Sequence, residues 1–200
     1  NDSLSGDGGQ DQVRGQAGDD TVNGGAGNDS LYGDAGQDLL GGGGGADLLA
    51  GRSGDDRLYG AGDADRLYGG TGQDSLYGGA GNDTLHGGNG ADLLAGGLGA
   101  DVFDFKATGE SQAGARDTLA GFQSGLDHID LSTIDANSTL AGNQAFSFIG
   151  GAGFSGAGQL RFVTNGTHGF ALADVDGDGT QDWVVQINGL TSMTAGDFIL

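Results

Sequence analysis

At 200 residues, with 28 acidic and seven basic side chains, the chain carries a formal net charge of −21. That balance excludes a nucleic-acid-binding surface as its main role, because phosphate backbones are gripped by clustered Lys and Arg. The chain has no cysteine, which excludes a disulfide framework, and no apolar stretch is long enough to span a membrane.

From the first residues, Asp recurs at every ninth position: Asp2, Asp11, Asp20, Asp29, Asp38, Asp47, Asp56, Asp65, Asp74, Asp83, Asp92 and Asp101. Such a register over half the chain means one structural unit stacked on itself. Five residues before each Asp stands a glycine in all eleven complete repeats, from Gly6 to Gly96. Two before it stands another glycine, with Asp63 the one departure, and two after it an apolar residue. The unit is G-x-x-G-x-D-x-(apolar)-x. Glycines three apart admit backbone at positive φ, so the first six residues are expected to turn. The x-(apolar)-x triplet is expected to form a minimal strand with its middle side chain inward. Two strands and two turns make a coil of eighteen residues, with coils roughly 4.8 Å apart. Two apolar ladders then face each other across a thin core. One holds Leu4, Val22, Leu40, Leu58, Leu76 and Leu94; the other holds Val13, Leu31, Leu49, Leu67, Leu85 and Phe103.

The aspartates form a ladder along each edge. Unneutralised carboxylates at strand spacing repel. Carboxylate and turn-carbonyl oxygens suit Ca²⁺, which accepts six to eight such ligands; Mg²⁺ demands a stricter octahedron. With no Cys and three dispersed His (His86, His128, His168), a softer metal is not expected.

At these residues the chain resembles the repeats-in-toxin (RTX) calcium β-roll, whose nonapeptide is G-G-x-G-x-D-x-(apolar)-x. Gly24–Asp29, Gly78–Asp83 and Gly87–Asp92 match it in full. The resemblance implies that each Ca²⁺ sits between turns eighteen residues apart. The upper turn would give the carbonyls of its first and third residues and its Asp. The lower turn would give the carbonyls of its second and fourth residues and its Asp. Carried onto this chain, first-position carbonyls are those of Gly24, Gly33, Gly42, Gly51, Gly60, Gly69, Gly78, Gly87 and Gly96. Third-position carbonyls are those of Ala26, Ala35, Gly44, Ser53, Gly62, Thr71, Ala80, Asn89 and Leu98. Second-position carbonyls include Gly25, Gly43, Gly70, Gly79 and Gly88; fourth-position carbonyls are those of Gly27, Gly36, Gly45, Gly54, Gly72, Gly81 and Gly90. Pairing from Asp11–Asp29 to Asp83–Asp101 gives nine complete sites. Asp7, Gln16, Asp34, Arg52 and Ala61 replace the second glycine, and Asp63 strains its site without removing the carbonyl.

Nine such ions would nearly cancel the formal charge. Low hydrophobicity with high net charge is the signature of a disordered chain. The expectation is therefore a metal-gated fold, in which binding free energy is folding free energy. Extracellular calcium modules bind at roughly 10⁻⁴–10⁻³ M, which would leave the roll unfolded in a calcium-poor cytosol.

Near residue 103 the composition changes: all nine Phe and Trp183 lie from Phe103 onward, and all four Tyr lie before it. Strand-like alternation appears in 145–149, 159–163, 169–173 and 183–187. This half resembles the serralysin-type (M10 metallopeptidase) C-terminal domain through Asp117–Ser132, Phe146–Gly150, Ala157–Phe162 and Asp174–Ile187. The terminal Asp197-Phe198-Ile199-Leu200 resembles the uncleaved signal read by a type I secretion channel. The resemblance also implies a closing Ca²⁺ at Glu110, eighteen residues after Asp92, and Asp117, seven later, making about nine or ten ions in all. Asp174, Asp176, Asp178, Gly179 and Asp182 match the front of an EF-hand loop, but Val185 stands where its bidentate Glu is expected, so an acidic hairpin turn is the preferred reading. Tyr59 with Tyr77, and Tyr68 with His86, are expected to be cross-coil stacking pairs; an aromatic stripe for glycans is the rival reading.

The expected fold is all-β: a right-handed parallel β-roll over residues 1–104, capped by a β-rich domain over 105–200. The chain is expected to be the non-catalytic C-terminal part of a longer bacterial protein, since residue 1 falls inside a repeat. It would be a secreted, extracellular monomer, with calcium ions, the type I secretion apparatus and an upstream domain as partners. That upstream domain is expected to be a serralysin-like zinc peptidase or another RTX enzyme such as a lipase or epimerase. An adhesin or surface-layer segment is the alternative. H-E-x-x-H and G-K-[ST] signatures are absent from the chain.

Overall fold

The computed structural model describes all of residues 1–200. Its first twelve strands are β1 (Ser3–Ser5), β2 (Gln12–Ala17), β3 (Thr21–Ala26), β4 (Ser30–Ala35), β5 (Leu39–Gly44), β6 (Leu48–Ser53), β7 (Arg57–Gly62), β8 (Arg66–Thr71), β9 (Ser75–Ala80), β10 (Thr84–Asn89), β11 (Leu93–Leu98) and β12 (Val102–Asp104). From β1 to β10 each pairs in parallel with the strand two further on, and the register is eighteen residues throughout: Val22↔Leu40, Leu40↔Leu58, Leu31↔Leu49 and Leu67↔Leu85. The result is an all-β parallel solenoid of about six turns with almost no helix.

The strands are longer than the apolar triplet. From β2 to β11 they run six residues, through the third residue of the glycine-rich half, because Gly25↔Gly43 and Ala26↔Gly44 are also paired. Only the last three residues of the hexapeptide turn the corner. Positive φ at the second position (Gly25, +104°) does not break the ladder, because the coil above repeats the same kink in register.

The apolar ladders meet as expected. Leu31, Leu40, Leu49, Leu58, Leu67, Leu76, Leu85 and Leu94 are fully buried, while Leu4 and Val13 at the N-terminal end are partly covered. At the other end both sheets continue past residue 104. β11 receives β13 (Thr118–Ala120) and then β18 (Trp183–Asn188); β12 receives β14 (His128–Asp130) and then β19 (Phe198–Ile199). β15 (Ser147–Phe148), β16 (Gln159–Thr164) and β17 (His168–Asp174) extend the first sheet, and β16–β17–β18 is an antiparallel meander. Leu119, Ile129 and Ile187 prolong the ladders, and Trp183 packs edge-on against Phe105 at 5.1 Å. A sheet edge left open presents unpaired backbone groups; here the meander and β19 cover the C-terminal end of the stack. No helix is long and apolar enough to cross a membrane.

Candidate metal centre

The ladder aspartates point into the corners between coils, and Asp20 through Asp101 are each at most 3 % exposed. Their two oxygens have different fates. Oδ1 accepts the backbone N–H of the Asp one coil below: Asp11 N to Asp29 at 2.8 Å, Asp56 N to Asp74 at 2.8 Å, Asp65 N to Asp83 at 2.9 Å. Oδ2 is buried without any hydrogen-bond partner in all eleven repeats from Asp11 to Asp101, and again at Asp117. A buried carboxylate oxygen without a donor is costly unless something positive meets it. Lys and Arg do not: within the ladder only Asp20 lies near a cation, the N-terminal amine at 3.5 Å.

Backbone carbonyls converge on the same spaces. A Cβ built on Gly24 would sit 2.4 Å from Asp29 Oδ2 and 2.7 Å from Gly42 O. The cradle recurs at Gly42 (Asp47 Oδ2 2.3 Å, Gly60 O 2.9 Å), Gly69 (Asp74 Oδ2 2.4 Å, Gly87 O 2.6 Å) and Gly78 (Asp83 Oδ2 2.4 Å, Gly96 O 2.5 Å). First-position carbonyls therefore point down at the coil below. Third-position carbonyls do too: Gly44 O accepts Gly27 N–H at 2.7 Å and Ser53 O accepts Gly36 N–H at 3.0 Å. Second- and fourth-position carbonyls point up, since Gly25 O and Gly27 O lie 2.1 and 2.5 Å from Cβ positions on Gly43 and Gly45. Replacing the second glycine leaves that direction intact, with Arg52 O 2.1 Å from the Gly70 position and Ala61 O 2.3 Å from that of Gly79. Asp63, at φ +69°, keeps its carbonyl beneath Gly81.

Without a cation, burial drives these carboxylates toward the neutral form. Desolvation, partly offset by the N–H bond from the coil below and reinforced by like charges on the same edge, pushes Asp65 and Asp74 up to about 7 and Asp56 to about 6. Asp92 and Asp101 rise to about 6 for the same first reason, and Asp117 to about 8. All-oxygen donors, two carboxylates and up to four carbonyls between each pair of coils, fit a hard divalent cation of tolerant geometry.

At the C-terminal end the ladder takes a different residue from the one expected. Glu110 does not continue the Asp92 column. Leu93 pairs with Thr118, and Asp92 N–H donates to Asp117 Oδ1 at 2.9 Å, so Asp117 is the next rung. The reason is the inserted 3₁₀ turn Thr108–Glu110 and the Gln112–Ala115 bridge, which lengthen the coil beyond eighteen residues. Glu110 sits beside the rung instead. Its Oε2 accepts Lys106 N–H at 2.8 Å, its Oε1 lies 3.7 Å from His86 Nε2, and its charge helps raise Asp92 and Asp117. On the opposite edge Asp127 continues the Asp101 column, accepting Asp101 N–H at 3.1 Å. Its other oxygen is satisfied by Gln123 N–H at 2.8 Å, so this column closes on protein alone.

Sequence reasoning missed Asp127. The signal was present in D-x-(apolar): Asp117-Thr118-Leu119 repeats Asp83-Thr84-Leu85, and Asp127-His128-Ile129 has the same form. It also missed a second, outer ladder of fifth-position side chains, in which Asp19, Asn28, Asp55 and Asn82 each accept the N–H of the residue eighteen later at 2.8–3.0 Å. The Asp174–Asp182 segment is a hairpin turn between β17 and β18. Asp174 accepts Gly177 and Gly179 N–H, Asp182 accepts Val175 N–H, and Val185 is buried in the core. Oxygens of Asp174, Asp176 and Asp182 come within 4.8 Å of one another.

The family model described as peptidase M10 serralysin C terminal matches residues 12–200. The chain belongs to the serralysin C-terminal family. This family is the non-catalytic C-terminal part of M10 proteases, and its RTX-type β-rolls bind calcium. Two solved relatives of this serralysin C-terminal chain are the AlgE6R3 and AlgE6R2 subunits of the Azotobacter vinelandii mannuronan C5-epimerase. The first is 28 % identical at a TM-score of 0.54, over 74 % of this chain and 80 % of its own. The second is 26 % identical at 0.52, over 76 % and 91 %. The extracellular lipase LipA from Serratia marcescens aligns at 17 % identity and a TM-score of 0.41, over 92 % of this chain and 38 % of its own. No curated protein matches the chain.

Proposed function

We propose that this chain is a calcium-binding module that folds when Ca²⁺ is supplied outside the cell and so drives the secretion and stabilisation of an upstream domain. Residues 1–104 are its ion-binding roll and residues 105–200 its cap. The observation that carries the reading is the row of buried Oδ2 atoms from Asp11 to Asp117 that no protein donor meets. The nine inter-coil spaces from Asp11–Asp29 to Asp83–Asp101 hold one ion each, and Asp117 with Glu110 holds a closing one. Binding neutralises a charge of −21 that otherwise extends the chain.

Export follows from the same switch. The unfolded, calcium-free chain passes a type I channel, with Asp197–Leu200 as the signal, and the roll forms on the extracellular side. In the folded chain Asp197 and Phe198 are buried, and β19 is paired to β14. The family match favours an M10 zinc peptidase as the upstream domain. Titrating Ca²⁺ into chelator-treated protein tests the reading: β circular dichroism should appear cooperatively, with about nine or ten ions bound per chain. A β signal that EDTA leaves unchanged defeats it.

A further inference from the structure

On the outer face of the eleven-stranded sheet, Asn23, Gly41, Tyr59 and Tyr77 stand in one column on successive coils. Tyr59 and Tyr77 stack face to face, with centroids 4.9 Å apart and rings 7° from parallel. Below Tyr59 the column is interrupted, because Gly41 has no side chain. The gap opens a notch of about 410 Å³. Its floor is the Gly41 backbone, and one wall is Leu39, 41 % exposed. Its far rim is the exposed amide of Asn23 and hydroxyl of Thr21, and Asn23 Oδ1 leans to 4.0 Å from where a Gly41 Cβ would sit. The second face of the Tyr59 ring, also 41 % exposed, closes the near side.

We propose that this notch binds one pyranose ring of a neutral saccharide. Asn23 and Tyr59 are two coils apart, roughly 10 Å at strand spacing, so a ring at the level of Gly41 continues the stack that Tyr77 makes on the other face of Tyr59. Aromatic faces favour offset contact with polarised C–H edges, which a pyranose presents on its flat side. Its equatorial hydroxyls point to the rim, where Asn23 and Thr21 offer donors and acceptors. An apolar surface with a few placed polar groups is the usual composition of a small-ligand site. None of the lining residues is charged, and a chain of net charge −21 repels polyanions, so the match is to a neutral sugar.

The test uses the whole chain, calcium-saturated, with glucose-, mannose- and galactose-based neutral hexasaccharides and one oligouronate, read by saturation-transfer NMR. At least one neutral hexasaccharide should bind saturably, with Kd on the order of 1 mM. Gly41→Leu fills the notch; its Cβ meets nothing closer than 4.0 Å and its φ lies outside the left-handed region, so the fold should persist by circular dichroism. Binding should weaken at least tenfold, and Tyr59→Ala should weaken it likewise. Absence of any neutral ligand, undiminished binding by folded Gly41→Leu, or preference for the oligouronate overturns the proposal. So does dimerisation that Gly41→Leu abolishes, which would make a second copy the occupant.

Discussion

Replacing Gly69 by alanine separates a cation cradle from a merely tight turn. Gly69 is not at positive φ, so alanine brings no torsional strain; its methyl group does crowd the Gly87 carbonyl, so the ion count, not the melting shift, decides. Its methyl group would lie 2.4 Å from Asp74 Oδ2 and 2.6 Å from Gly87 O, in the space where an ion would draw on both. One ion should be lost from the stoichiometry. At free Ca²⁺ a hundredfold above Kd, a bound ion contributes about 2.7 kcal/mol. For a chain of this size each kcal/mol moves Tm by about 2–4 °C, so Tm in saturating calcium should fall by roughly 5–11 °C. Gly44→Ala is the control: no atom lies within 4 Å of its Cβ position, and its effect should stay within about 0.5 kcal/mol. Isothermal titration calorimetry gives the ion count, and thermal circular dichroism gives the shift. If Gly69→Ala binds as many ions as Gly44→Ala, the cradle is not an ion site, whatever its melting point.

Three further outcomes follow from the same geometry. Because burial raises Asp65 and Asp74 to about 7 and Asp117 to about 8, the metal-free fold binds protons that the unfolded chain, with Asp near 3.9, has released; its stability is greatest below about pH 4 and is lost as pH rises through 6 to 8. Calcium-free protein should therefore gain β circular dichroism on acidification from pH 8 to 5, and apparent calcium affinity should rise with pH; a calcium-free signal indifferent to pH would refute the burial argument. Leu58→Ala, at a fully buried rung, should cost about 2–5 kcal/mol in saturating calcium with the ion count unchanged, as calorimetry on the folded variant will show. Ala61→Gly relieves a φ of +86° worth about 1–2 kcal/mol against about 0.5–1 kcal/mol of added chain entropy, so Tm should rise by a few degrees.

The solenoid was legible because its period is written in three residue types at once. Asp, Gly and Leu each hold the nine-residue register, and parallel pairing at eighteen turns that register into two sheets and two edges. The strand length was not legible: glycine reads as a turn residue, yet Gly25↔Gly43 and Ala26↔Gly44 are ladder pairs. The ladder ends were misread for a related reason. Counting eighteen from Asp92 reaches Glu110, but a 3₁₀ turn inserted before β13 hands the rung to Asp117. A periodic reading carries no information about where the period is interrupted, whereas the local triplet D-x-(apolar) does.

The three glycine positions of the repeat are held for different reasons, and their tolerance of substitution ranks those reasons. At the second position glycine φ runs from +95° to +119°, and five other residues appear there at φ between +67° and +86°. They have slid toward the left-handed basin, which L residues enter at modest cost. Asp34 and Arg52 recover some of it as a pair at 3.0 Å, with Arg14 and Arg52 flanking Tyr32. At the fourth position a Cβ would come within 1.7–1.8 Å of the carbonyl beneath Gly27, Gly54 and Gly81, and one departure, Asp63, is seen. The first position is glycine in every complete repeat although its φ is never positive. Backbone strain cannot explain that invariance. What a Cβ would meet there is Asp Oδ2 and, at seven of the eleven positions, the backbone carbonyl of the coil above at 2.5–2.9 Å, which cannot swing away. Glycine at all eleven first positions is therefore set by close approach of the next coil, and the space it keeps clear, between carboxylate and carbonyl, is the one a cation would occupy.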